Sequence, residues 1–306
     1  MIFERPPSDV AHWLRRPGAR DDKYRRGVLG VRTGSALYPG AAVLGVGAAW
    51  RTGLGLLRYV PPVDDAASPW GLPSPAAAVL AAHPETVFGP APEGARPCDA
   101  WLIGSGTDPA ARAAAETAAL AALLAGSAPV VVDAGALGLA AALSAAERTV
   151  AAPLILTPHA GEFTRLWQAA DLGAVPAALR SPEDVAGRGV AAAELAAVLG
   201  VTVLLKGSRT IAATPHGHQF VGPEATPWLA TAGTGDVLAG VLGALVAAQT
   251  EAVRQDPDLL AELGIAAAQL HDRAARIAAG GTGVQRPITA GDVVSALPAA
   301  YAELAA

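Results

Sequence analysis

Two residues stand where chemistry would need them, Asp236 and Lys206. Asp236 closes a glycine-rich loop, T-A-G-T-G-D at 231–236, and opens an apolar run to Gln249 with Leu238, Val241, Leu242 and Leu245 at helical spacing. Glycines on both sides of Thr234 let the backbone turn tightly and leave its N–H groups unshielded. A helix starting there points unpaired amides and its positive end into the loop, a setting that suits phosphate. A carboxylate beside such an anion hole is a poor phosphate ligand but a sensible base for a hydroxyl that attacks phosphorus. A plain turn with an acidic residue in the first helical turn accounts for the same letters. No Gly-Lys-Ser/Thr follows the glycines, so the loop is neither a P-loop nor a dinucleotide fingerprint.

Lys206 directly follows V-T-V-L-L, an awkward place for a surface lysine, and Gly207 beside it permits close approach of a ligand. The chain holds only two lysines and no asparagine, against abundant arginine. A compact ammonium retained at 206 therefore points to phosphate. Asp133 follows three valines; it would either orient a metal-bound water or cap a helix, and capping is the simpler role. His159 in T-P-H-A-G-E would either contact substrate or be a satisfied loop group. Glu162 would at least stabilise a helix start. His216 and His218 flank Gly217 in a polar turn and read as solvent-exposed. The six histidines show no zinc spacing, and the metal ligands stay unassigned.

The elements that must position these groups alternate. Val28–Val31, 55–60, Ala100–Ile103, Ala128–Val132, Leu154–Leu156 and Val201–Leu205 read as short strands, most of them followed by a polar loop and an alanine-rich helix. Helices are expected to about Thr52, over about 110–125, after Leu137, after Glu162, from a capping Ser181 to near Gly200, after Asp236, and over about 259–279. Residues 61–75, with five prolines, read as loop. This βα repetition predicts an α/β fold with buried parallel strands. Loops 104–109, 133–137, 157–162 and 206–210 all follow strands, so their polar residues gather on one rim with Asp236. Residues 1–22 read as an arm or linker stub, and 23–306 as one domain.

A chain of 306 residues with 52% hydrophobic residues can bury a large core. A net charge of -5, with no basic patch beyond Arg15–Arg26, argues against nucleic-acid binding. No signal-peptide pattern is present, and the apolar run after Asp236 is too short for a membrane span. One cysteine, Cys98, excludes an internal disulfide framework. A soluble cytoplasmic protein is the expectation.

Six segments together carry a family resemblance: Y-P-G-A-A at 38–42, G-S-G-T-D at 104–108, V-V-D-A-G-A-L at 131–137, L-T-P-H-A-G-E-F at 156–163, L-L-K-G-S-R-T at 204–210 and A-G-T-G-D-V-L-A-G at 232–240. In order and content they resemble the ADP/ATP-dependent NAD(P)H-hydrate dehydratases of the ribokinase-like superfamily. The match runs from about Asp22 to the end. The resemblance implies a three-layer α/β/α ribokinase-like fold with a mainly parallel central sheet. It implies ADP-dependent dehydration of (S)-NADHX and (S)-NADPHX to NADH and NADPH, with ADP as co-substrate, Mg²⁺ as cofactor and AMP and phosphate released. By motif, Ala41, Gly106, His159 and Asp236 would contact the hydrate, with Asp236 catalytic. Lys206, Gly207, Ser208, Arg209, Thr210, Gly233, Thr234 and Gly235 would hold the nucleotide. Many relatives are fused to an epimerase domain, so 1–22 is expected to mark that junction and a separate NAD(P)H-hydrate epimerase to be a partner. A homo-oligomer, tetrameric as in relatives, is also implied. Two departures bear on nucleotide affinity: G-P-E-A-T-P-W at 222–228 replaces an N-P-T-G-N segment, and G-S-G-T at 104–107 replaces G-P-G-L. Two other readings use the same Asp236 loop: a small-alcohol kinase, for instance of hydroxymethylpyrimidine, and a non-catalytic nucleotide sensor.

Overall fold

A computed structural model describes residues 2–63, 68, 70–142 and 152–306. Ten strands form one sheet in the order β1-β10-β9-β8-β7-β6-β5-β2-β3-β4. They are β1 (Ile2–Glu4), β2 (Val28–Arg32), β3 (Leu56–Tyr59), β4 (Val87–Phe88), β5 (Ala100–Ile103), β6 (Val130–Val132), β7 (Leu154–Leu156), β8 (Thr202–Leu205), β9 (Arg209–Ala213) and β10 (Gln219–Glu224). Only β9 runs against its neighbours; every other pairing is parallel.

The helices are α1 (Pro39–Arg51), α2 (Pro75–Ala82), α3 (Ala114–Leu124), α4 (Leu137–Ala142), α5 (Ala160–Ala169), α6 (Val185–Leu199), α7 (Thr234–Ala248), α8 (Thr250–Gln255), α9 (Leu259–Ala278) and α10 (Ala290–Leu304). Alanine, the strongest helix former, supplies half or more of α2, α3 and α4. The strands alternate between two cores: Val131, Ile155 and Leu204 face one, while Val130, Val132, Leu154, Leu156 and Leu205 face the other. The first core is closed by α1, α2, α7, α9 and α10, and the second by α3, α4, α5 and α6. Three layers, α/β/α, result.

Chain direction places the functional rim. From β2 the strands step outward to β3 and β4; from β5 they step the other way, through β6 and β7 to β8. The reversal lies between β2 and β5, whose following helices α1 and α3 cover opposite faces. Open α/β sheets bind ligands beyond the strand ends at such a point. Helix α7 crosses there, packed on α1, β2 and β5.

Several expectations need adjustment. Helix α6 is capped by Asp184, which accepts the Gly187 N–H at 2.9 Å, whereas Ser181 ends a preceding 3-10 turn. The helix expected over 110–125 opens as a 3-10 turn at Pro109–Ala111 before α3 begins. Within the expected 61–75 loop, residues 64–67 and 69 lie outside the described residues, as do residues 143–151, which follow the helix expected after Leu137. In segment 1–22, β1 pairs with β10, and Val10, Trp13 and Leu14 are buried in the first core.

Candidate active site

Four adjacent parallel strands each place a polar residue just past their carboxyl end: Ser105 after β5, Asp133 after β6, Thr157 after β7 and Lys206 after β8. These residues meet. Asp133 accepts from Thr157 Oγ1 at 2.7 Å, Lys206 Nζ at 2.9 Å and Ser105 Oγ at 2.9 Å. It makes no side-chain cap to the turn it precedes, so the capping role expected for it is corrected: it is the buried hub of the rim. The reason is tertiary, since only the register of β5 to β8 brings the three donors together. Burial disfavours its charged form, but the Lys206 ammonium and the donated hydrogen bonds outweigh this and hold the carboxyl below the usual range.

Lys206 is correspondingly pushed up. Burial alone would lower it, yet Asp133 and Glu162, 3.9 Å from Nζ, more than compensate. Its backbone N–H bonds Pro158 O at 2.8 Å, tying the rim loops after β7 and β8 together. His159 begins α5: Nδ1 accepts the Gly161 N–H at 3.0 Å, while Glu162 accepts the His159 N–H at 2.8 Å. The imidazole itself is 58% exposed. In the neutral ring the proton therefore sits on Nε2, which lies 3.6 Å from Glu162 Oε2.

Asp236 lies in the first turn of α7, whose N-cap Gly233 is left-handed at φ 87. No carboxylate cap closes this helix end, and its first amides lack intrahelical partners. Burial and the nearby Asp133 charge push Asp236 up to about 6, with Lys206 partly opposing. A carboxyl of that pKa accepts a proton readily near neutral pH. On the α1 side, Ala41 and Gly106 touch: Gly106 is left-handed, and a Cβ there would lie 2.4 Å from the Ala41 Cβ. A Cβ on Gly233 would lie 2.7 Å from Leu44 of α1, so this loop presses against the same helix start.

On the other side of the glycine loop is a cavity of about 410 Å³. Lys206, Gly207, Ser208, Thr210, Thr234 and Gly235 line it, as the sequence led us to expect of a nucleotide pocket. Arg209 and Gly233 do not line it. The Arg209 guanidinium bonds Gly222 O and Glu4 instead. Further lining from Thr226, Leu229, Leu238, Gln269, His271 and Asp272 was not read from the sequence. The available signal was Q-L-H-D at 269–272, where Gln269 and His271 are buried polar residues of α9. His216 and His218 are exposed; His216 bonds Asp258 and His218 Nδ1 lies 3.2 Å from the same carboxylate. Among the described residues, no three His, Cys, Asp or Glu side chains are grouped to hold a metal ion.

The three-layer architecture with its mainly parallel sheet is a ribokinase-like fold, shared with a ribokinase-like superfamily protein of Enterococcus faecalis (TM-score 0.72, 20% identity). A model of the family described as NAD(P)H-hydrate dehydratase matches residues 29–298. The bifunctional NAD(P)H-hydrate repair enzyme Nnr of Mycobacterium tuberculosis is 43% identical over 242 residues, 78% of this chain and 45% of that protein. The ADP-dependent (S)-NAD(P)H-hydrate dehydratase of Neisseria meningitidis is 34% identical over 275 residues, 88% of this chain and 83% of that protein. A crystal structure of the ADP/ATP-dependent NAD(P)H-hydrate dehydratase of Bacillus subtilis, co-crystallized with ATP/Mg²⁺, superposes with a TM-score of 0.77 at 25% identity, covering 99% of both chains. The chain belongs to the NAD(P)H-hydrate dehydratase family. It spans about half the length of the bifunctional relatives it matches.

Proposed function

We propose that this chain catalyses ADP-dependent dehydration of (S)-NADHX and (S)-NADPHX, restoring NADH and NADPH and releasing AMP and phosphate. The observation that carries the reading is Asp236: a half-buried carboxyl raised to about 6, in the first turn of α7, one residue beyond Gly235 in the wall of the cavity. The hydrate's hydroxyl oxygen attacks the β-phosphorus of ADP as Asp236 takes its proton, and the bond to AMP breaks. The phosphorylated oxygen then leaves the ring carbon as phosphate with the bonding pair. A proton leaves the neighbouring ring carbon, and the dihydronicotinamide double bond forms. First-turn amides of α7, with Gly235 at their head, stabilise the transferring phosphoryl group, and the Lys206 ammonium adds positive charge.

Mg²⁺ fits this donor set as a cation carried in on the nucleotide, since it keeps waters and binds phosphates with one or two carboxylates. Glu162 is the rim carboxylate that would hold it, since Asp133 is buried and closed off by its three donors, and when bound it would neutralise phosphoryl oxygens. Ala41, Gly106 and His159 are assigned to the hydrate; Lys206, Gly207, Ser208, Thr210, Thr234 and Gly235 are assigned to ADP, whereas Arg209 and Gly233, outside the cavity lining, are not. ADP is preferred to ATP, because a further phosphate on the same adenosine anchor would enter the space of the hydrated ring. The name of the Neisseria relative supports that order. In this reading the protein works in the cytoplasm as a homo-oligomer, alongside an NAD(P)H-hydrate epimerase. No helix among the described residues is long and apolar enough to cross a membrane.

The test is incubation of (S)-NADHX with the protein, Mg²⁺ and ADP, ATP or no nucleotide. Nucleotide-dependent return of dihydronicotinamide absorbance, faster with ADP, is the expected result. No return with either nucleotide would refute the activity, and an ATP kcat/KM equal to or above that of ADP would refute the preference.

A further inference from the structure

Arg188, in the first turn of α6, is only 3% exposed. Its guanidinium makes one hydrogen bond among the described residues, from Nη2 to the Lys206 carbonyl at 3.3 Å, and Nε has no partner. No carboxylate among the described residues pairs with it: burial pushes its pKa down, and no acid opposes the shift. The start of a helix is also the wrong end for a cation, because the first-turn amides already carry partial positive charge. Arginine is almost never fully buried unless paired, and its guanidinium stays charged regardless. Elsewhere in the fold buried charges are matched, Arg32 by Glu116 and Asp133 by Lys206.

The unmatched charge lies against the loop assigned to the nucleotide. A Cβ on Gly207 would stand 2.7 Å from Arg188 Nη2 and 3.2 Å from Nη1, so the guanidinium fills the space that a side chain at 207 would take. Gly207 lines the cavity and Arg188 does not. The cation therefore stands behind the loop, with loop backbone between it and the cavity. The Lys206 ammonium is committed to Asp133 at 2.9 Å, whereas Arg188 has no acid to cancel its field. Buried surroundings screen that field less than water would. A phosphate seated on the cavity side of Gly207 would supply the counter-charge that the fold omits.

We propose that Arg188 is a positioning residue of the nucleotide site: a buried cation behind the Lys206–Gly207 loop that holds the loop backbone and draws phosphate onto it without touching the ligand. The inference rests on the assignment of this cavity to ADP. It carries a signature that an ordinary structural arginine lacks. An unpaired buried charge destabilises the empty protein, and the same charge stabilises the complex once an anion faces it.

The experiment compares the parent with Arg188→Met and Arg188→Lys, by melting temperature without nucleotide and by calorimetric titration of ADP. Methionine follows the arginine stem and carries no charge; lysine keeps the charge without the planar fork. Without nucleotide, Arg188→Met should melt at least as high as the parent, since exchanging an unpaired buried charge for apolar volume is neutral or stabilising. It should bind ADP about 10-fold more weakly, the scale of one partly screened charge pair. Arg188→Lys should bind ADP more tightly than Arg188→Met. An Arg188→Met chain that does not fold, or that melts more than about 3 °C below the parent, makes Arg188 an ordinary structural residue and overturns the proposal. So does an Arg188→Met affinity for ADP within about twofold of the parent, or lysine binding ADP no better than methionine. A parent that binds no ADP overturns the nucleotide assignment itself, and this inference with it.

Discussion

Asp236 answers to two opposed demands, and the opposition is measurable. Charged, it is costly to bury; protonated, it cannot act as a base. Its carboxyl titrates at about 6 in the fold against 3.8 for the free side chain. The folded state thus holds the proton more tightly, and its stabilising contribution is complete below about 4 and lost as pH rises through about 6. Asp236→Asn should therefore be more stable than the parent at pH 8, by about 1–3 kcal/mol after allowing for partial solvent screening, and equal to it below about pH 4. Paired urea titrations at the two pH values check this. A variant no more stable at pH 8 would contradict the burial of a charged carboxylate. The same substitution should lower kcat about 10²–10⁴-fold with nucleotide binding retained. In the parent, log kcat/KM should fall with unit slope below about pH 6. A rate flat from pH 7 to 5 would remove Asp236 as the base. Lys206→Ala should cost about 3–5 kcal/mol, because it strands the buried Asp133 charge, and should weaken ADP more than the hydrate. Titration of both ligands against the variant decides the second point. Lys206 and Asp236 were legible from residue type and position alone, an ammonium after an apolar strand and a carboxylate after glycines. Asp133 was misjudged because its three donors come from three other strand ends, a fact of register that no local spacing carries.

Helix α7 carries the site, and its contact with α1 sets where the site lies. A Cβ on Gly240 would meet Gly45 O at 2.2 Å, and Gly45 in turn faces the Asp236 backbone, 3.5 Å from where its own Cβ would be. The two helices approach on glycine. Gly240→Ala should push them apart, costing about 1–3 kcal/mol and reducing kcat at a site one turn away. Gly40→Ala, in the same α1 but with open space around the added methyl, should be neutral or slightly stabilising. Denaturant midpoints and kcat for the pair check this. Equal effects in both would mean that the crossing does not position Asp236. The long strand–loop–helix units were read from alternation of apolar runs and alanine-rich stretches. The edge elements were not: β4 has two residues, α2 lies just behind a proline-rich loop, and β1 has only its pairing with β10 to define it. Ser181 was read as the cap because a serine opens the acidic stretch before the alanine-rich run, and the observed bond to Gly187 moves the cap to Asp184.

At the scale of the molecule, the sheet divides its labour. The reversal between β2 and β5 brings Ala41 and Gly106 together, β5 to β8 supply the Asp133 network, and the cavity lies beyond β8 between its loop and α9. Hydrate and nucleotide are thereby assigned to opposite sides of one glycine loop. Val190 and Val198, both exposed and eight residues apart on α6, support the proposed homo-oligomer. Light scattering should give a mass that is a multiple of 30.5 kDa, and a single 30.5 kDa particle would contradict assembly. The mainly parallel sheet and the location of its rim followed from sequence pattern; the cavity lining from α9 did not, because Gln269 and His271 sit in a helix whose periodicity reads as core.

The coupling of phosphoryl transfer to dehydration is the central claim, and stoichiometry tests it most directly. With (S)-NADHX, ADP and Mg²⁺, NADH, AMP and phosphate should be measured in one time course, beside Asp236→Asn. The account predicts that the three appear together in equal amounts and that the variant forms none at a comparable rate. AMP formed without NADH, or a phosphorylated hydrate that accumulates and persists, would contradict it.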